Sequence, residues 1–402
     1  MRVGIFTDTY PPFINGVSTS IKMLETALRK KGHQVFIVTV NSEDMKYKYE
    51  DNGRIIRIPG IPTGIYDYRL TGIYPVRVLN KIKKWNLDII HSHTEFGVGT
   101  FARIVAKQYN IPLVHTYHTM YEDYTHYITH GHLDKSSKKI VEYLTKFYCD
   151  KTATELIVPS SKTYSLFKEK YKVDKNVHIV PTGIDVDRFH REKLDQNKVL
   201  ELKNKLKLKT PTIIYVGRLA KEKSVEVLLE NQSYFYKKYK AKLLIVGSGP
   251  DLDKYKKIAS KHKIENCVIF TGAVPWEDIP YYYALADVFA TPSTTETQGL
   301  TVVEAMASSL PVAVASDKAF EGIVIDDLNG KTFKNKRGYK KALEEILESN
   351  VTREIMSKQA RITADGHSLK YYAEKILDVY NIALKEKSKK NFLDKIIDIF
   401  KR

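Results

Sequence analysis

Cysteine and tryptophan are scarce in this chain of 402 residues, with two of each. Cys149 and Cys267 stand far apart and neither belongs to a CxxC pair, which excludes a disulfide framework and a cysteine-built zinc site and points to a reducing cytoplasm. No stretch reaches the roughly 18 consecutive apolar residues that a spanning helix requires, so none is expected. The opening Met1, Arg2, Val3, Gly4, Ile5, Phe6 runs straight into a strand-like pattern, and no signal peptide is expected. Long low-complexity stretches are missing as well, which leaves the chain to fold almost throughout.

Acidic residues are in deficit, 47 Asp and Glu against 65 Lys and Arg, for a net charge of +18. Such an excess asks for an anionic partner (nucleic acid, a membrane surface or an anionic substrate) unless the lysines are simply spread over solvated faces. No recognised nucleic-acid-binding module accompanies the charge, so nucleic acid is not expected. With 43% hydrophobic and 28% charged residues the chain is globular, and its length exceeds what one core usually supports. Two domains follow.

What is present is an alternation of short apolar, β-branched runs with amphipathic stretches. Strands are predicted at 3–6, 35–40, 55–58, 88–91, 113–116 and 156–159, and helices at 18–31, 74–84, 97–109 and 138–151. After the polar stretch 187–210 the pattern restarts, with strands at 212–216, 243–246, 268–270, 288–290 and 312–315 and helices from Gly338 onward. This order predicts an α/β protein of two doubly wound, Rossmann-like parallel-sheet domains: 1–187, 188–366, and a helical C-terminal segment 367–402. In such sheets ligands sit beyond the carboxyl ends of the strands, so the loops after Phe6, Thr116, Val216, Val246 and Ala290 are the ones to read.

The loop after Val216 carries Gly217, Arg218 and Lys223, a glycine for close backbone approach with a guanidinium fork and a point charge able to converge on a diphosphate. Taken alone, it equally describes surface cations beside a turn. The segment after the strand 288–290 reads Glu296, Thr297, Gln298, Gly299, Leu300, Thr301, Val302, Val303, Glu304, two acids around a glycine turn with a helix predicted from Leu300. Free amides at that helix start suit an anion, and carboxylates suit sugar hydroxyls. Gly247, Ser248, Gly249 lack the third glycine of a dinucleotide fingerprint, its place being taken by Leu252, so NAD is not expected.

Gly217 and Arg218 with Lys223, followed by a Glu-x7-Glu segment, resemble the donor half of family 4 of the retaining GT-B glycosyltransferases. The resemblance implies two such domains facing a central cleft. By the same resemblance Arg218 and Lys223 hold a nucleotide diphosphate, Glu296 and the Gly299–Leu300 backbone hold the transferred hexose, Glu304 grips the ribose, Val274 lies near the base, and Thr297 and Thr301 complete the donor segment. In the first half, the loop from Thr7 to Val17 contains Gly16 just before a helix, matching the family's glycine loop beside the donor phosphates. Seven histidines cluster there: His91, His93, His115, His118, His126, His130 and His132. Their spacing matches no zinc signature, and no metal site is expected. His118 follows a strand and matches the family's histidine near the transferred sugar.

Within the family the nearest likeness is to the diacylglycerol glucosyltransferases, on Thr7 to Pro12, His93 to Gly99 and His118 to Tyr124. That likeness implies transfer of glucose from UDP-glucose to 1,2-diacylglycerol with retention of configuration, no tightly bound cofactor, and no divalent metal required by the fold, though such an ion could be stimulatory. A polysaccharide-building transferase would share every donor residue, and a non-enzymatic lipid-binding protein is the reading from another class. The terminal segment 388–402 places Phe392, Leu393, Ile396, Ile397, Ile399 and Phe400 at helical spacing among lysines, a pattern that lies in a bilayer interface or docks in a protein groove. The stretch 135–151 mixes lysines with Leu144, Phe147 and Tyr148 in the same manner. Peripheral attachment to the cytoplasmic face of the cell membrane is the expectation, with an anionic surface as partner.

Overall fold

The computed structural model describes residues 1–13, 15–63, 69–119, 139 and 142–400, with 390–400 described by backbone alone. Two compact units make up the chain, the first Met1–Gly183 with Leu369–Arg402 and the second Ile184–Ser368. The breaks fall at 183/184 and 368/369, where the sequence pattern placed them at 187/188 and 366/367, and the C-terminal segment belongs to the first unit.

In the first unit the strands are β1 (Arg2–Phe6), β2 (Gln34–Val40), β3 (Lys48–Glu50), β4 (Ile55–Ile58), β5 (Ile61–Pro62), β6 (Arg69–Leu70), β7 (Ile89–Ser92), β8 (Leu113–Thr116), β9 (Glu155–Val158) and β10 (Val177–Ile179). Eight of them form one sheet in the order β10-β9-β8-β7-β1-β2-β4-β3, parallel except for β3 against β4. β5 and β6 make a separate antiparallel pair. In the second unit β11 (Thr212–Val216), β12 (Lys242–Val246), β13 (Val268–Phe270), β14 (Val288–Thr291), β15 (Val312–Ala315) and β16 (Gly330–Phe333) form a wholly parallel sheet ordered β13-β12-β11-β14-β15-β16. Both units are doubly wound.

Central strands read as unbroken apolar runs because helices cover both faces: every residue of β11, Thr-Ile-Ile-Tyr-Val, is buried. The unpredicted strands β3, β10 and β16 lie at sheet edges, and the first two are partly exposed along their whole length. Helices begin where caps are available. Asn15 accepts from Ser18 N at 2.8 Å, so the first helix runs Gly16–Lys30, two residues earlier than its apolar periodicity indicates.

The order of each sheet reverses at one point. In the second unit this lies between β11 and β14, and in the first between β1 and β7, so the loops following these strands border the crevice where α/β sheets take ligands. Three of the five loops singled out by sequence, those after Phe6, Val216 and Ala290, occupy these positions.

The long C-terminal helix Leu369–Phe400 completes the first unit's core. Tyr372, Ile376, Val379, Tyr380 and Ala383 are buried against Val3, Ile5, Ile21, Leu24 and Val114. Tyr380 OH bonds His91 Nδ1 at 2.7 Å, and Lys31 pairs with Glu374 at 2.8 Å. The backbone is helical through Phe400, while the side chains of the predicted amphipathic tail from Lys390 lie outside the described residues. Ile376 is fully buried, so Ile376→Ala is predicted to destabilise the protein by about 2–5 kcal/mol in urea unfolding, since a cavity replaces packed methylenes.

Candidate active site

The strongest constellation is built at the β11/β14 reversal. Beyond β11 the chain crosses Gly217 and Arg218 into a short 3-10 turn, Lys221–Lys223, closed by Ser224 at φ +52°. The next loop braces this one: Gly217 N donates to Val246 O and Leu219 N to Ser248 O, each at 3.0 Å. A Cβ on Gly247 would lie 2.0 Å from Gly217 O, which gives the glycine a packing role against the neighbouring loop.

Beyond β14 the chain runs through Glu296 to Gly299, whose φ of +76° turns it into the helix Leu300–Ala307. Only glycine fits there, because a Cβ would come within 2.3 Å of Phe320 Cε1 and the dihedral is left-handed. The two loops meet at Lys223 Nζ and Glu296 Oε1, 2.5 Å apart and mostly shielded, their side chains 16% and 22% exposed. A second tie runs from Thr295 Oγ1 to Glu222 O at 3.3 Å. The predicted phosphate cation and the predicted sugar carboxylate are therefore side by side, next to the amides at a helix start.

Glu304 lies one turn inside that helix, buried, and accepts from Tyr283 OH at 3.0 Å. Burial pushes its carboxyl up to about 7, against the opposing hydrogen bond from Tyr283 and the charge of Arg188. Val274, half-buried, packs on the same apolar cluster as Leu300, Val302 and Phe320. Thr297 and Thr301 are half-buried, and Thr301 lends its carbonyl to Tyr283 OH at 3.2 Å. Sequence reasoning passed over Tyr283 and Arg188. Tyr283 sits in an unremarkable tyrosine run, and Arg188 falls in the stretch read as a polar linker.

The first unit carries a second constellation at the β1/β7 reversal. Asp8 caps the helix Gly97–Gln108 through Val98 N at 3.0 Å and accepts from Thr94 Oγ1 at 2.5 Å, so its role is to join the two loops. Burial raises its carboxyl above the usual range. Gly16 is exposed at the start of its helix, and among the described residues no atom beyond its chain neighbours and its own helix backbone lies within 4 Å of the place a Cβ would take. The protein's own packing does not require glycine there.

His91, His93, His115 and His118 make three separate sets of hydrogen bonds at the ends of β7 and β8. His91 bridges Tyr380 and Thr116 at 2.7 Å each, His93 Nδ1 meets His118 Nε2 at 2.9 Å with the rings stacked 5.2 Å apart, and His115 bonds Ser92 Oγ at 2.8 Å and Glu95 Oε1 at 2.9 Å. Desolvation keeps the imidazoles neutral, His118 being pushed down to about 4. Donor atoms of Glu95, His115 and Cys149 lie within 4.8 Å of one another, close enough for one small cation. Arg103, held by Gly99 O at 2.7 Å, already brings positive charge to Glu95 there. His126, His130 and His132, and the motif residues Met120 to Tyr124, lie outside the described residues.

Comparison with known proteins gives the family. Residues 14–188 match the family model described as Glycosyltransferase Family 4, and residues 198–363 match Glycosyl transferases group 1. The α-monoglucosyldiacylglycerol synthase of Acholeplasma laidlawii is 36% identical over 400 residues, 97% of this chain and 99% of that protein. A protein of the same name from Streptococcus pneumoniae is 37% identical over 351 residues, 86% of this chain and 78% of that one. Among solved structures, sucrose-phosphate synthase from Thermosynechococcus elongatus superposes with a TM-score of 0.75 at 19% identity, covering 96% of this chain and 99% of that one.

Two Rossmann-like units with this sheet order and these matches define a GT-B glycosyltransferase. Within that class the chain belongs to family 4, in the group of the monoglucosyldiacylglycerol synthases.

Gly299→Ala is predicted to cost about 1–3 kcal/mol of stability from backbone strain alone. Urea unfolding beside Gly16→Ala, which meets no atom within 4 Å and is predicted to be near neutral, checks the contrast.

Proposed function

We propose that the protein transfers glucose from UDP-glucose to the free hydroxyl of 1,2-diacylglycerol, with retention of configuration, at an anionic membrane surface on the cytoplasmic side. The observation that carries the reading is the 2.5 Å pairing of Lys223 with Glu296 beside the N-terminus of helix Leu300–Ala307. It joins the charges that a sugar diphosphate and a sugar ring need at one reversal of the sheet. The acceptor is supported by the two relatives at 36% and 37% identity, both named α-monoglucosyldiacylglycerol synthase.

In this mechanism the bond from the anomeric carbon to the diphosphate oxygen breaks, and the bond to the acceptor oxygen forms on the same face of the sugar. The acceptor proton passes to the departing phosphate oxygen. Arg218, Lys223 and the amides at Leu300 stabilise the negative charge as it develops on the diphosphate, which is where fixed dipoles and cations accelerate a reaction most. Glu296 orients the hexose hydroxyls, Glu304 takes the ribose hydroxyls and His118, neutral, supplies a polar contact to the sugar. No tightly bound cofactor enters these steps, and a stimulatory divalent ion would add to the charge that the two cations already supply.

Attachment to a bilayer is supported by exposed apolar side chains in the first unit. Ile61, Leu70, Ile73 and Val76 are each more than half exposed, and the helix Val76–Lys84 that follows bears Arg77, Lys81, Lys83 and Lys84. Tyr143, Leu144 and Phe147 are exposed beside Lys139 and Lys146.

Three outcomes test the reading. Glu296→Ala and Lys223→Ala are each predicted to lower glucosyl transfer roughly 100-fold or more in protein that still folds; transfer at the normal rate in either variant refutes its role. Affinity for UDP is predicted to fall as pH drops through about 7, since Glu304 loses its carboxylate below that value, and Glu304→Gln should flatten the profile. Sedimentation with anionic vesicles is predicted to exceed that with zwitterionic ones and to weaken with salt; Ile73→Glu with Val76→Glu should reduce it, whereas full pelleting by a chain ending before Ser388 removes the terminal tail from the account.

A further inference from the structure

Arg188 belongs to neither of the two loops that carry the donor motif, yet it contacts Trp276 and brings its charge to Glu304. It lies in the 3-10 turn Val186–Phe189, which packs against the helices Ile279–Ala284 and Leu300–Ala307. Its guanidinium carbon stands 3.1 Å from the centroid of the Trp276 ring, and Nη2 donates to the carbonyl oxygen of the same residue. Trp276 is two residues past Val274, in the segment 271–278 between β13 and the helix Ile279–Ala284. The other end of this segment is fixed where Gly247 N donates to Gly272 O at 3.0 Å. Arg188 therefore clamps the segment at Trp276, and Lys198 pairs with Asp278 at its end at 2.7 Å.

Two further facts give the clamp a ligand-directed meaning. Nη1 of Arg188 is buried and has no hydrogen-bond partner among the described residues, an arrangement that proteins avoid because the donor has given up water for nothing. The same guanidinium brings positive charge to Glu304. Around that carboxyl, Tyr283 presents its hydroxyl at 3.0 Å from the helix Ile279–Ala284, Arg188 faces it from the 3-10 turn, and Arg361 of the helix Asn350–Asp365 caps the end of the glutamate's own helix through Ala307 O at 2.7 Å.

We propose that Arg188 is a nucleoside-positioning residue of the donor site: it holds the Val274–Trp276 segment at the depth a pyrimidine base requires, keeps its charge beside Glu304, and offers Nη1 to an acceptor oxygen of the nucleoside. The stack with Trp276 and the hydrogen bond to its carbonyl need a planar, forked cation, which Lys cannot replace. The electrostatic part needs only a positive charge. Affinity and pH dependence therefore separate in the right pair of variants. The assignment rests on the reading that this unit binds a uridine diphospho-sugar.

Isothermal titration of the full chain with UDP between pH 5.5 and 8.5 tests it. Arg188→Gln is predicted to weaken UDP binding about tenfold to a hundredfold, the range for losing a charged hydrogen-bond donor, and to move the acid limb of the affinity profile upward by about one pH unit, because Glu304 loses its nearby cation. Arg188→Lys is predicted to return the limb to its normal position without restoring the affinity. A folded Arg188→Gln protein with normal UDP affinity and an unmoved limb overturns the proposal, as does weakened binding with an unmoved limb, which marks a merely structural role. If Arg188→Gln does not fold, Trp276→Leu and Arg188→Lys decide: each should weaken UDP binding about fivefold or more, and normal affinity in both overturns it. Wild-type protein that binds no UDP sinks the donor reading itself, a result distinct from wild-type protein that binds UDP while the variants bind it equally well.

Discussion

The ion pair between Lys223 and Glu296 joins two loops 73 residues apart in the chain, and it does so because the strand order reverses between β11 and β14. At that reversal the helices after neighbouring strands leave on opposite faces, so the loops diverge and a crevice opens between them. A cation on one lip and a carboxylate on the other, beside a helix N-terminus, are what a molecule with a diphosphate at one end and hydroxyls beside it requires. The helix start is itself set by Gly299, the only residue type that can hold the left-handed turn against Phe320.

From this constraint the rest of the second unit becomes intelligible. Glu304, a turn along the same helix, is buried far enough to be poised near neutrality and is steadied by Tyr283 and Arg188, which arrive from two other elements. The Gly247–Gly249 loop, which has part of a dinucleotide fingerprint, spends its glycines on close contact with the backbone of Gly217 and Leu219. Its job is to support the neighbouring backbone.

Central elements were legible in the sequence where one physical cause dominated. Buried parallel strands such as β11 and β15 are continuous apolar runs, and sequence pattern alone places them at 212–216 and 312–315, as found. Short edge strands carry little apolar signal: Lys48–Glu50 and Gly330–Phe333 are held by their neighbours' backbones more than by their own side chains. Candidate site residues divide in the same way. Arg218, Lys223, Glu296 and Glu304 stand in local motifs and could be named through the family resemblance those motifs carry, whereas Arg188 and Tyr283 come beside them only through tertiary packing and have no local signature. The pairing of His91 with Tyr380, 289 residues away, is of this second kind, and so is the return of the C-terminal helix to the first unit's core.

A crystal structure of the protein with UDP tests the central claim most directly. The account predicts the diphosphate within hydrogen-bonding distance of Arg218, Lys223 and the amide of Leu300, the ribose hydroxyls on Glu304, and the base against the segment that contains Val274. A nucleotide bound elsewhere, with Lys223 and Glu304 making no contact to it, would contradict the account.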